Sequence, residues 1–394
     1  MVYLPQRRRP GRQRSLKAHW NDLPRLRSDR LLLLIGLGIA LSWSAISILK
    51  WLLPSDPPAA SETVSEVSRE ELATTYNVKS PPDWQANPDL QAIVDETVAL
   101  AEDAGLPTEA LSITLVDVGD PATHYQAGYN PQIMRFPASV SKLFWLAAFF
   151  QRVRAGSIPD ESPFYQDLNY MIRISDNDSA GRILDAITQT TSGEALEGTE
   201  LETWIDKRSQ IDTLFRNANY KNIILSTKNY PITDGGEAPA GRDLQLKQNR
   251  ALASGNRVST DQAARLMYEI YTKQAVSPVA STKMAHLLTR DLNPSAWDEG
   301  DRDFVKGFLG ESLPTDIYFA SKVGYTSRSR QEVIFVRTLD DRAIYILAVF
   351  GTDAAYAQNE EIFPRMSRHI FDRLNGTPQK LKPKEVSVFK SKDN

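Results

Sequence analysis

The sequence predicts an α+β fold: one antiparallel sheet flanked by helices, with a helical subdomain inserted and one transmembrane helix ahead of it. Three observations predict it. A charge-free run, Leu31 to Leu49, stands near the start of the chain. Two short strand-like segments and three more near the C-terminal end bracket a long helical block. Strands from both chain ends that share one sheet, with helices between them, define an α+β arrangement.

The elements follow in order. Residues 1–30 carry Arg7, Arg8, Arg9, Arg12, Arg14, Lys17, Arg25, Arg27 and Arg30 against Asp22 and Asp29. The apolar stretch after them is long enough, within residues 31–53, for a helix to cross about 30 Å of hydrocarbon, and Lys50 can snorkel at its exit. The basic block is then cytoplasmic by the positive-inside rule. The expected location is a bacterial inner membrane, single-pass, with the main domain periplasmic. A cleavable signal peptide is the alternative, but its apolar core spans only about 7–15 residues; an amphipathic core helix would show a stripe that this run lacks. Pro54-Ser55-Asp56-Pro57-Pro58 opens a polar stretch over residues 54–88 that reads as a linker. The main domain is expected over 89–375 and a polar, lysine-rich tail over 376–394.

Within the domain, Leu90, Ile93, Val94, Val98 and Ala101 keep helical spacing, and Gly105 is a natural stop. Leu111–Val118 and Thr123–Gly128 read as strands around Gly119-Asp120-Pro121. Helices are expected over Ser139–Val153, Glu161–Arg173, Ala180–Thr188, Glu200–Phe215 and Thr260–Tyr271. Ile317–Val323, Val333–Leu339 and Ala343–Phe350 form a meander rich in β-branched and aromatic residues, and a last helix covers Asn359–Leu374.

Composition excludes several chemistries. The 394 residues contain no cysteine, so thiolate nucleophiles, disulfides and cysteine-held metals are out. The four histidines show no metal-binding helical spacing, so no metal or cofactor is expected. The net charge of -3 gives no bulk affinity for nucleic acid.

Three short segments carry chemistry. Ser139-Val140-Ser141-Lys142 puts a hydroxyl and an amine one helical turn apart on one face. A serine needs a nearby base to act as a nucleophile, and a lysine of lowered pKa can supply it. An N-cap serine with a surface lysine would give the same spacing. Ser175-Asp176-Asn177 follows 36 positions after Ser139, and would also suit a helix cap. Lys322-Val323-Gly324 lies at the end of a strand, where a lysine beside a turn glycine is unremarkable alone.

Their conjunction, S-x-x-K on a helix, S-D-N before a helix and K-x-G on a strand, resembles class A β-lactamases and low-molecular-mass penicillin-binding proteins. The resemblance spans roughly Leu90 to Leu374. It implies that Ser139 attacks a carbonyl, that Lys142 takes its proton, and that Ser175, held by Lys322, relays a proton to the leaving nitrogen. It further implies that Asn177 and the strand around Gly324 and Tyr325 bind the substrate, with the backbone N–H groups of Ser139 and Tyr325 as the oxyanion hole. Two departures stand out. Val323 replaces the family's Thr or Ser, and no E-x-x-L-N context supplies the deacylating glutamate; Glu237, the only glutamate between Tyr220 and Asn256, is the candidate for that role. The expected function is hydrolysis of a β-lactam or related amide through an acyl-enzyme on Ser139. The alternatives are a D,D-carboxypeptidase or penicillin-binding protein acting on cell-wall peptide, and a silent scaffold that keeps the fold.

Overall fold

The computed structural model describes residues 75–233, 236–249, 255–297 and 304–376. The basic segment 1–30, the apolar segment 31–53 and residues 377–394 lie outside them. Among the described residues no helix is long and apolar enough to cross a membrane.

The sheet has six strands: β1 (Gln85–Ala86), β2 (Leu111–Asp117), β3 (Tyr125–Tyr129), β4 (Ile317–Thr326), β5 (Ser329–Thr338) and β6 (Ile344–Gly351). Their order is β1-β3-β2-β6-β5-β4, so strands from the two chain ends meet where β2 pairs with β6. The sheet is mixed, which corrects the purely antiparallel expectation. The two-residue β1 runs parallel to β3, because the chain enters along that edge in the direction of β3. The other pairings are antiparallel.

Alternation along the strands explains why the meander reads as almost continuous apolar sequence. On β6, Ile346, Ala348 and Phe350 enter one buried cluster, and Tyr345, Leu347 and Val349 enter the other. A sheet covered on both faces needs apolar residues at both phases. One face is covered by α1 (Pro88–Asp103) and, at the chain's end, by Ile362–Gly376. The cluster on the other side is built by the central helices α2 (Ser141–Arg154), α3 (Tyr165–Arg173), α4 (Asn177–Thr188), α5 (Gly198–Arg216), α7 (Thr260–Tyr271) and α8 (Pro278–Leu288), while α6 (Gly241–Gln248) enters neither cluster. Two closing helices, α9 (Ala354–Gln358) and α10 (Ile362–Gly376), end the domain.

α2 is the hub of the helical block. Its residues Leu143 to Phe149 have no exposed surface, which is the fate of a helix that is apolar all round. The stretch 75–87, which composition assigned to a linker, packs against the domain. Tyr76 is fully buried and donates to Glu269 at 2.8 Å, and Asn77 bonds to Gln274 and Val276. α6, α8 and α9 were not anticipated. For α8 the signal was present: Ser277 caps it and Pro278 takes its first turn.

Candidate active site

Ser139 lies in a 3₁₀ turn, Ala138–Val140, that leads into α2. Ala138 before it has φ of 45°, an uncommon value for a residue with a side chain. Ser139 is half-buried, and among the described residues its hydroxyl has no protein hydrogen-bond partner. Lys142, three positions on, is fully buried. Its ammonium does not turn back to the serine. It donates to the Ser175 carbonyl at 2.5 Å, to Asn177 Oδ1 at 2.7 Å and to Ser175 Oγ at 3.4 Å.

Ser175 joins α3 to α4, and its φ of 57° turns it left-handed. That turn presents both its carbonyl and its hydroxyl to the lysines. Asp176 caps α4 by accepting from the Ser179 amide at 2.7 Å, which fixes the turn in place. From the sheet side, Lys322 Nζ donates to Ser175 Oγ at 3.0 Å and to the Val323 carbonyl at 3.0 Å. One hydroxyl is thus held between two buried amines contributed by α2 and β4.

Burial of both amines is costly, and the cost falls on their charged forms. Desolvation lowers the Lys142 pKa to about 7, with the Asp176 carboxylate pulling the other way. Desolvation, then the neighbouring Lys142 and Arg290, push Lys322 well below the ordinary lysine range, while Glu332 opposes them.

β4 brings its edge against the nucleophile. A Cβ on Gly324 would fall 2.5 Å from the Pro137 carbonyl and 3.1 Å from the Ser139 nitrogen, so only glycine permits this approach. Because β4 is the last strand of the sheet, one of its hydrogen-bonding sides is not paired by any strand of the sheet. Tyr325 follows Gly324 with half of its side chain exposed. Val323 is almost fully buried in the core beneath the sheet.

The segment 226–233 runs beside Ser139. Asn229 donates to Ser141 Oγ at 3.1 Å, and Asn177 Nδ2 donates to the Pro231 carbonyl at 3.0 Å. The side chain offered here is an amide, not a carboxylate. Glu237 lies farther along, exposed, with no hydrogen bond or ion pair among the described residues, and the structure does not join it to Ser139.

Two supporting residues escaped the sequence reading. Arg290 follows α8; its guanidinium donates to Ser321 Oγ at 3.0 Å and to the carbonyls of Ile172 and Arg173 at 3.0 Å each. It therefore ties the residue before Lys322 to the end of α3, close to Ser175. Glu332, fully buried on β5, accepts from the Leu309 amide at 2.6 Å, and desolvation raises its pKa to about 7. No local motif marks either residue. Among the described residues no group of His, Asp and Glu could hold a metal ion.

Two buried amines of depressed basicity thus meet at the Ser175 hydroxyl, and the strand that carries one of them runs against the Ser139 amide. The chain belongs to the beta-lactamase enzyme family: residues 161–374, more than half of it, match that family's profile (Beta-lactamase2). It is a serine hydrolase of the β-lactamase and penicillin-binding class that acts on amide bonds. The matched region holds Ser175, Asn177, Lys322 and Gly324 and begins after Ser139. The fold is similar to that of PBP-A, at 16% identity over 75% of this chain and 100% of that one, with a TM-score of 0.51. A β-lactamase from Sphaerobacter thermophilus DSM 20745 is 17% identical over 73% of this chain and 98% of that one, with a TM-score of 0.49. Among curated proteins no sequence matches the chain.

Proposed function

We propose that Ser139 is acylated by β-lactam or related amide substrates and that the resulting ester hydrolyses slowly, as in a penicillin-binding protein. The supporting observation is the placement of Lys142 and Lys322 around Ser175 at 3.4 and 3.0 Å, with Gly324, two residues after Lys322, packed against the Ser139 amide. In the first step Ser139 Oγ bonds to the carbonyl carbon and the C–N bond breaks. The hydroxyl proton passes to the Lys142 amine and, through Ser175, to the departing nitrogen. The amides of Ser139 and Tyr325 receive the oxyanion, and Asn177 and the strand at Gly324 hold the substrate.

Slow deacylation follows from what lines the segment 226–233. Asn229 stands there, and an amide cannot take a proton from water as a carboxylate does. A PBP-A variant of similar fold, with a TM-score of 0.50 and 16% identity over 75% of this chain and 100% of that one, was solved as an acyl-enzyme with penicillin G. We further propose that residues 31–53 anchor the chain in the inner membrane, with the hydrolase domain outside it, facing cell-wall peptide. That placement favours a D,D-carboxypeptidase-like role over antibiotic clearance.

A fluorescent penicillin tests the reading. The full chain should carry a label that survives for many minutes after excess reagent is removed and that Ser139→Ala abolishes. Turnover of nitrocefin within seconds would replace slow acyl transfer with a true lactamase. Absence of labelling by the penicillin and by a fluorophosphonate would overturn the enzymatic role.

A further inference from the structure

We infer that a basic cavity at the end of α2 remote from Ser139 is a second binding site, one that takes the phosphate head groups of anionic phospholipids. The inference rests on the reading of residues 31–53 as an anchor, which keeps lipid close to the domain. It is independent of the chemistry at Ser139.

The cavity measures about 790 Å³. It is lined by Lys79 and Ser80, by Arg154 at the end of α2, by Lys273 and Gln274 just after α7, and by Ser277 before α8. Three cations share this wall, and among the described residues no aspartate or glutamate lines it. All three side chains are exposed. Among the described residues the ammonium groups of Lys79 and Lys273 have no hydrogen-bond or ion-pair partner. Arg154 donates through Nη1 to the Val276 carbonyl at 2.5 Å, which leaves the rest of its fork of donors. A concave wall of one charge sign concentrates the opposite ion.

The wall is held rigidly. Val276 has φ of 63°, an outlier for a β-branched residue. Such strain persists where the surroundings over-determine it. Here Asn77 Oδ1 accepts from the Val276 amide at 2.7 Å, and Asn77 Nδ2 donates to the Gln274 carbonyl at 2.6 Å. Ser281 Oγ donates to the Ala275 carbonyl at 2.7 Å. Tyr76, fully buried and bonded to Glu269, fixes the chain three residues before Lys79. Backbone ordered before a ligand arrives adds little to the entropy cost of binding.

Position in the chain selects the ligand. The cavity includes residues 77–80, at the end of the domain to which residues 31–53 are joined. Lipid phosphate is the anion that a membrane supplies there, and Lys and Arg both bind phosphate. The serine hydroxyls and the Gln274 amide add donors and acceptors suited to the glycerol of a head group. α2 begins two residues after Ser139 and ends at this cavity, 14 residues on, about 20 Å. A domain seated by this end holds the start of α2 away from the lipid, toward cell-wall peptide. The rival occupant is the chain's own acidic stretch, which carries Glu62, Glu66, Glu70 and Glu71.

Lysine reactivity tests the site without altering the protein. Full-length protein in nanodiscs of phosphatidylcholine, with or without an equal part of phosphatidylglycerol, is acetylated with a neutral N-hydroxysuccinimide ester and read by peptide mass spectrometry. Lys221 is the internal control: it is exposed, and its carbonyl accepts from Gln262 in the first turn of α7, at the opposite end of that helix from Lys273. Phosphatidylglycerol should slow acetylation of Lys79 and Lys273 by about fivefold, the scale of one basic residue at an anionic surface, and leave Lys221 unchanged. Lys79→Glu should restore the reactivity of Lys273, and Lys273→Glu that of Lys79, at unchanged melting temperature. Equal rates in the two discs overturn the inference; if those rates are equally slow, the cavity belongs to the chain's own glutamates. Equal protection by inorganic phosphate in neutral detergent overturns the lipid assignment in favour of a free anion. Flotation separates this site from the anchor. An anchored chain floats with vesicles of either composition. Flotation with phosphatidylglycerol vesicles alone sinks the anchor and keeps the site, and flotation with neither overturns both.

Discussion

Lys142 joins sequence to chemistry at the scale of a single residue. Spacing put it one turn from Ser139, but its basicity depends on contacts that no local pattern shows. Burial lowers its pKa to about 7, so below that pH the amine is protonated and cannot accept the serine proton. Acylation should therefore rise with pH and level off above an apparent pKa near 7, as a stopped-flow or quenched-mass pH profile would show. Lys142→Ala should lower the rate about 10²–10⁴-fold, the range of one general base. A rate that falls as pH rises from 6 to 8 would remove Lys142 from that role. The meeting of Lys142 and Lys322 at Ser175 was legible because each of the three sits in a three- or four-residue motif. Arg290 and Glu332 were not, since a lone arginine after an unremarked helix and a lone glutamate in a strand acquire meaning only from residues far along the chain. Glu237 was proposed by elimination among glutamates, and elimination says nothing about which way a loop runs.

Among the elements, β4 and α7 make the clearest demands. Gly324 lets β4 touch the turn that carries Ser139. Gly324→Ala should push the strand away and weaken an oxyanion donor, slowing acylation by roughly 10²–10³-fold with little change in melting temperature. α7 holds a buried network: Glu269 pairs with Arg265 at 2.7 Å and accepts from Tyr76 and Tyr220 at 2.8 Å each. Glu269→Ala would leave a buried guanidinium without its counter-charge, a loss of about 3–5 kcal/mol. Tyr76→Phe, which removes one bond to the same carboxylate, should cost about 1–3 kcal/mol, and urea denaturation should resolve the two. Strand and helix identities were readable where periodicity was strong. The buried status of Tyr76 was not, because the prolines and acidic residues upstream dominate the composition of the stretch around it.

At the scale of the whole molecule, the two-sided sheet explains the α+β reading. Strands near both ends of the domain contribute to one layer, and the long helical block between them carries Ser139, Ser175 and the loop beside them. The sheet then supplies Lys322 from its last strand. The parallel β1 was invisible in sequence because two residues carry no periodicity. The proposed membrane attachment belongs to this scale too. Full-length protein should sediment with membranes and resist carbonate extraction, while a chain beginning at residue 66, which keeps Tyr76, should be found in the soluble fraction. Full-length protein released by carbonate would refute the anchor without touching the site.

The central claim is that one cleft makes Ser139 the acyl acceptor. Peptide mapping by mass spectrometry after reaction with benzylpenicillin tests it most directly. The account predicts one adduct, of the intact reagent's mass, on the peptide containing Ser139, formed faster at pH 8 than at pH 6. An adduct on any other residue, with Ser139 unmodified, would contradict it.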